Sequence, residues 1–171
     1  MPEWLKLKPA AIVVAMALMT VSAGAETPSP PAPLAALEVS GPTGRASLTP
    51  ADLAGLPSQS VTVRWHDQTV TYTGPLLADV LARVGAPHGD ALHGPDLADV
   101  VILTAQDGYR VALGLAETNA SIRPNRMILA LQADGHPLTG ADGTVRLVIE
   151  GDLKPARSER QVARIEVRRL D

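Results

Sequence analysis

Residues Val61 to Val84 (VTVRWHDQTVTYTGPLLADVLARV) constrain the fold most, because their apolar spacing changes from a strand period to a helical one within one short stretch. Val61, Val63 and Trp65 alternate with Thr62, Arg64 and His66, as in a half-buried strand. Asp67-Gln68 is expected to turn the chain, and Thr69–Thr73, rich in Thr, Val and Tyr, to return as the partner strand. Gly74-Pro75 carries the signals of an N-cap followed by the first helical position, where a missing N–H costs nothing. Leu76, Leu77, Val80, Leu81 and Val84 then share one helical face, and Gly85 supplies the stop. The stretch therefore predicts a hairpin feeding a short amphipathic helix.

The rest of the chain repeats this economy of short elements. Leu37–Ser40 and Arg45–Leu48 read as strands joined by a Gly-Pro-Thr-Gly turn, and Thr49-Pro50 opens a short helix over Ala51–Gly55. Ala86–Asp96 is a polar loop punctuated by Gly and Pro. Asp99–Ala105 is a continuous β-branched run, expected to be covered on both faces, and Asp107-Gly108 turns it into Tyr109–Leu113. Met127–Gln132, Thr144–Ile149 and Val162–Arg168 are further strands. In the last, Ala163, Ile165 and Val167 face one way and Arg164, Glu166 and Arg168 the other. Many short strands with one or two short helices predict an α+β single domain dominated by mixed β-sheet.

The N-terminus reads differently. Lys6 and Lys8 precede an apolar run from Ala10 to Val21, and Ala23-Gly24-Ala25 gives a small-x-small site, the pattern of a secretory signal peptide over residues 1–25. The run is shorter than the ~20 residues that span a bilayer. Residues 26–33 (ETPSPPAP) read as a stiff Pro-rich tether, leaving residues 34–171 for the domain. A periplasmic or secreted location is the expectation.

Composition narrows the chemistry. The chain has no cysteine, which removes disulfides, thiolate nucleophiles and thiolate metal ligands. It also lacks phenylalanine, so the core falls to Val, Leu, Ile and Ala. A net charge of −3 and few aromatic residues argue against nucleic-acid partners. No P-loop, G-x-G-x-x-G or Ser-His-Asp pattern is present. His66, His88, His93 and His136 are scattered without a zinc-binding spacing.

Several pieces in order carry a resemblance. They are Trp65-His66-Asp67, Thr73 through Leu81, Gln106-Asp107-Gly108-Tyr109, Leu129-Ala130 leading to Asp134 through Leu138, Gly143 with Arg146-Leu147-Val148, and Ile165-Glu166-Val167. Together they span nearly all of the chain after the tether. The series resembles the molybdopterin-binding domain of sulfite-oxidase-type oxidoreductases in its small, exported form. That resemblance implies a mixed β domain that cradles a pterin or molybdopterin, with the phosphate held by basic side chains and backbone N–H groups. Catalytic members bind molybdenum through a cysteine thiolate in the segment matching Val61–Thr73. This chain has none, which turns the expectation from enzyme toward binder and counts against molybdenum.

The resemblance implies five cofactor-binding residues and no catalytic or metal-ligating ones. Trp65 offers an indole face for stacking, although its strand position suits a core residue equally. Tyr109 can place a hydroxyl on a ligand edge. Lys154, Arg157 and Arg160 recur every three residues in the charged connection Gly151–Gln161 and suit phosphate. The expected function is an exported, non-catalytic pterin-binding module serving a membrane-bound signalling or redox partner. Two alternatives stand beside it: a molybdopterin-dependent oxidoreductase with a cysteine-free metal site, and a ligand-free interaction domain.

Overall fold

The structure is a computed structural model that describes residue 34 and residues 36–170. The expected signal peptide and tether lie outside the described residues. In chain order the elements are β1 (Leu37–Gly41), β2 (Gly44–Leu48), α1 (Pro50–Ala54), β3 (Ser58–Trp65), β4 (Gln68–Pro75) and α2 (Leu77–Ala82). They continue with β5 (Val100–Ala105), β6 (Arg110–Gly114), β7 (Met127–Ala130), β8 (Gln132–Ala133), β9 (His136–Pro137), β10 (Arg146–Ile149) and β11 (Val162–Arg168), with short 3-10 segments in several connections.

The strands form three sheets. A five-stranded sheet runs β2-β1-β11-β5-β6, with β1 and β11 parallel and the other pairs antiparallel. A four-stranded sheet runs β3-β4-β8-β9, and β7 pairs with β10 between the two. This is an α+β fold with mixed sheet, as the element pattern predicts.

The β7–β10 pair explains how one short chain builds two cores. All four residues of each strand are buried, so alternate side chains serve opposite sides. Met127, Leu129, Leu147 and Ile149 join the larger core beneath the five-stranded sheet, with Leu77, Val80, Leu81 and Val84 around α2. Ile128, Ala130 and Val148 join a smaller one with Val61, Val63, Trp65 and Tyr72. Double coverage, expected at Asp99–Ala105, is found here instead. In β5 only Val101, Leu103 and Ala105 are buried, because its other face has no layer burying it fully.

Local signals held where they were self-contained. Thr49 caps α1, its Oγ1 accepting from Asp52 N–H at 3.2 Å while Asp52 Oδ2 accepts from Thr49 N–H at 2.8 Å. Two signals were put to other uses. The β3–β4 turn is His66-Asp67, both with positive φ, and Gln68 already pairs with Trp65. Gly74-Pro75 ends strand β4 rather than opening the helix, which starts at Leu77 after Leu76. Gly74 is required by crowding: a Cβ there would lie 2.0 Å from Leu129 O. In β11 a bulge between Val162 and Arg164 breaks the simple alternation and turns both Val162 and Ile165 into the core.

Candidate functional site

The smaller core carries a charge. Arg146 opens β10 with the parity of Val148, so its side chain enters the Trp65–Tyr72 side and is only 8 % exposed. Its guanidinium carbon lies 5.3 Å from the Trp65 ring centroid and 5.2 Å from that of Tyr72, within cation–π range of both. The two rings are 6.1 Å apart and tilted by 41°. One guanidinium nitrogen donates to Asp142 Oδ1 at 2.6 Å and to the Tyr72 hydroxyl at 3.1 Å. The Nε is buried with no partner among the described residues. Burial pushes the Tyr72 hydroxyl above the usual phenol range, against the opposing field of Arg146, so it stays neutral.

These groups line a cavity of about 640 Å³, together with His66, Gln68, Val70, Pro155, Ser158 and Arg160. The size is that of a small-molecule site. Trp65 is 9 % exposed. Most of the indole is core, and the remainder is cavity wall. Its Nε1–H donates to Asp152 O at 3.0 Å, which ties the hairpin to the charged connection.

That connection, residues 152–161, forms a strap along the cavity and contributes Pro155, Ser158 and Arg160 to its wall. Its cations do not act together. Arg160 is exposed, lines the Trp65 cavity and is unpaired among the described residues. Arg157 faces elsewhere, donating to Asp152 through Nε (3.1 Å) and a terminal nitrogen (2.7 Å), and to Glu117 at 3.4 Å. Those carboxylates hold its pKa above the ordinary value. Lys154 is exposed on the loop, outside the residues that line the cavity. The Tyr109 hydroxyl donates to Ala156 O at 3.0 Å, and Tyr109 lines a second hollow of about 240 Å³ across the strap, sharing Pro155, Ser158 and Arg160 with the first. Of the five expected residues, Trp65 and Arg160 thus meet in one cavity, while Tyr109, Arg157 and Lys154 do not reach it.

Arg146, Tyr72 and Asp142 were not singled out by sequence reasoning. One signal was available: an arginine inside an apolar strand run, two residues before Val148, belongs on the buried face. Among the described residues no group of three or more His, Cys, Asp or Glu side chains is placed to hold a metal ion. The donors present fit the organic part of a pterin cofactor. Aromatic walls suit a flat heterocycle, and the unpartnered Arg146 Nε and free Arg160 fork suit its oxygens or a phosphate.

No curated protein matches the chain. The family model for the oxidoreductase molybdopterin binding domain matches residues 33–171, which takes in every strand described above. A mixed-sheet domain matched over that length belongs to the oxidoreductase molybdopterin binding domain family.

Proposed function

We propose that this domain binds a pterin-type ligand in the Trp65–Arg146 cavity and acts as a binding or partner-regulating module rather than as a thiolate-dependent molybdenum oxidoreductase. The observation that carries the reading is Arg146. A guanidinium buried against two aromatic rings, with one N–H donor unmatched among the described residues inside a small-molecule-sized cavity, is costly unless something supplies the missing acceptor. The non-catalytic half rests on the cysteine-free sequence, which offers no soft ligand to a redox metal. Export through residues 1–25 and service to a membrane-bound signalling or redox partner belong to the same proposal, and the leader pattern supports the first.

The test uses the Trp4→Phe variant of the full chain, which leaves Trp65 as its one tryptophan. Titration with pterin and phosphorylated 6-hydroxymethylpterin, followed by Trp65 emission and by calorimetry, is expected to saturate. Arg160→Ala should weaken binding of the phosphorylated form at least tenfold, and Arg157→Ala should leave it unchanged. A flat titration across both pterins overturns the ligand reading and favours a ligand-free interaction domain. Molybdenum in stoichiometric amount in the purified protein overturns the non-catalytic reading and favours the oxidoreductase.

A further inference from the structure

The 152–161 strap hides a carboxyl group that no other feature of the site explains. Glu159 is 3 % exposed, and both its carboxylate oxygens are buried with no hydrogen-bond partner. A buried ionised carboxylate without partners is among the most costly arrangements a fold can hold, whereas a neutral carboxyl is tolerated. The surroundings discourage ionisation further. Asp107, on the β5–β6 turn, lines the same hollow and its charge opposes a second negative charge. Tyr109 on that turn is a neutral neighbour, already bonded to Ala156 O. From β10 the backbone N–H of Leu147 bonds Glu159 O, not its carboxyl, and the nearby Arg146 is engaged by Asp142 and Tyr72. On the strap itself Arg157 is committed to Asp152 and Glu117, and Arg160 lines the hollow without bonding the carboxyl.

No ladder holds the middle of the strap. It is joined to the fold by single bonds: Trp65 Nε1–H on Asp152 O, the Tyr109 hydroxyl on Ala156 O, Arg157 on Glu117, Ile149 N–H on Ser158 Oγ, Leu147 N–H on Glu159 O, and at its end Gln106 N–H on Gln161 O with Gln161 donating to Asp142 O and Ala141 O. Segments held by a few side-chain and single backbone bonds open at lower free energy than sheet strands. Ser158 and Arg160, the immediate neighbours of Glu159, line the Trp65 cavity.

We propose that Glu159 is a proton-operated latch: protonated, it seats the strap over the Trp65 cavity, and on losing its proton to water it drives the strap outward and exposes the indole. Burial pushes the Glu159 carboxyl up to about 7, with the Ala105 backbone N–H opposing and the Asp107 charge adding a smaller push, which places the transition in an accessible range. The latch is independent of the pterin reading, since it operates on the ligand-free domain.

The experiment follows Trp65 in the full-length Trp4→Phe chain without ligand, measuring acrylamide quenching from pH 5 to 9. Quenching is expected to rise at least twofold along a single titration centred near 7. Glu159→Gln, which keeps the shape but holds no proton to lose, should show the low value throughout. Asp107→Asn should move the midpoint to lower pH. His66 also lines the Trp65 cavity, so His66→Gln is the control that should retain the transition. A native chain with constant quenching, a transition surviving in Glu159→Gln, or one abolished in His66→Gln each overturns the latch.

Discussion

Trp65 and Asp152, 87 residues apart in sequence, are joined by one hydrogen bond of 3.0 Å from the indole Nε1–H to a backbone carbonyl. That bond fastens the strap to the β3–β4 hairpin, and the same indole faces the Arg146 guanidinium. Trp65→Phe keeps an aromatic wall but removes the donor and weakens the cation–π contact. The expected loss of stability is about 1–3 kcal/mol, read as a lower urea midpoint, with the Asp152 amide region exchanging faster against deuterium while α2 is unaffected.

Gly74 gives a second expectation. It sits where β4 crosses β7, and an added Cβ would meet Leu129 O at 2.0 Å, a contact with main chain that no rotamer relieves. Gly74→Ala is expected to cost about 3 kcal/mol or more, seen as loss of the cooperative thermal transition. Retention of native stability would mean that the two strands can part locally.

The same glycine shows what a sequence discloses. Turns and caps that depend on adjacent residues, such as Thr49 with Asp52 or Asp107-Gly108, are legible because cause and effect lie within a few positions. Gly74-Pro75 carries the local mark of a helix start, yet its use is set by a strand from much later in the chain. The site divides likewise. Trp65 and the strap could be picked out as pieces. Which arginine faces the indole depends on the β7–β10 pair being sandwiched between two cores, and that is a long-range fact. Lys154, Arg157 and Arg160 recur every three residues, but a strap with a single 3-10 turn at Pro155–Arg157 sends them to different surroundings.

Arg157 is accordingly expected to matter for stability and not for ligand. Its bidentate bond to Asp152 and its contact with Glu117 are partly solvent-screened, the side chain being 37 % exposed. Arg157→Ala should cost about 1 kcal/mol, with most of the effect removed at high salt. A change in pterin affinity without a change in stability would assign it to the site instead.

Arg126 and Glu150 form a bidentate ion pair reinforced by a backbone hydrogen bond. Glu150 accepts from the Arg126 backbone N–H (2.9 Å), Nε (2.9 Å) and a terminal nitrogen (2.6 Å). Those hydrogen bonds lower the Glu150 carboxyl to about 2. A carboxyl depressed in the folded state stabilises above its unfolded value near 4.5, and the contribution disappears as pH falls toward 2. Screening at the half-exposed Arg126 reduces it to roughly 1–2 kcal/mol. Stability of Arg126→Gln should fall short of the native chain at pH 6 and converge with it near pH 2.

Glu159 has the opposite sign. Its carboxyl is raised to about 7 in the folded state, so the native chain holds a proton that the unfolded chain has released. Below the unfolded value near 4.5 both states are protonated and no stability is lost. Between there and 7 the unfolded state gains by ionising, and the native chain weakens by up to roughly 3 kcal/mol. Opening of the strap would relieve part of that cost, because an ionised carboxyl in water no longer opposes the fold. Glu159→Gln should therefore match the native chain at pH 4 and exceed it at pH 8 in chemical denaturation. Parallel curves at the two pH values would show that the carboxyl already reaches water in the closed domain, and the buried pocket around it would lose its role.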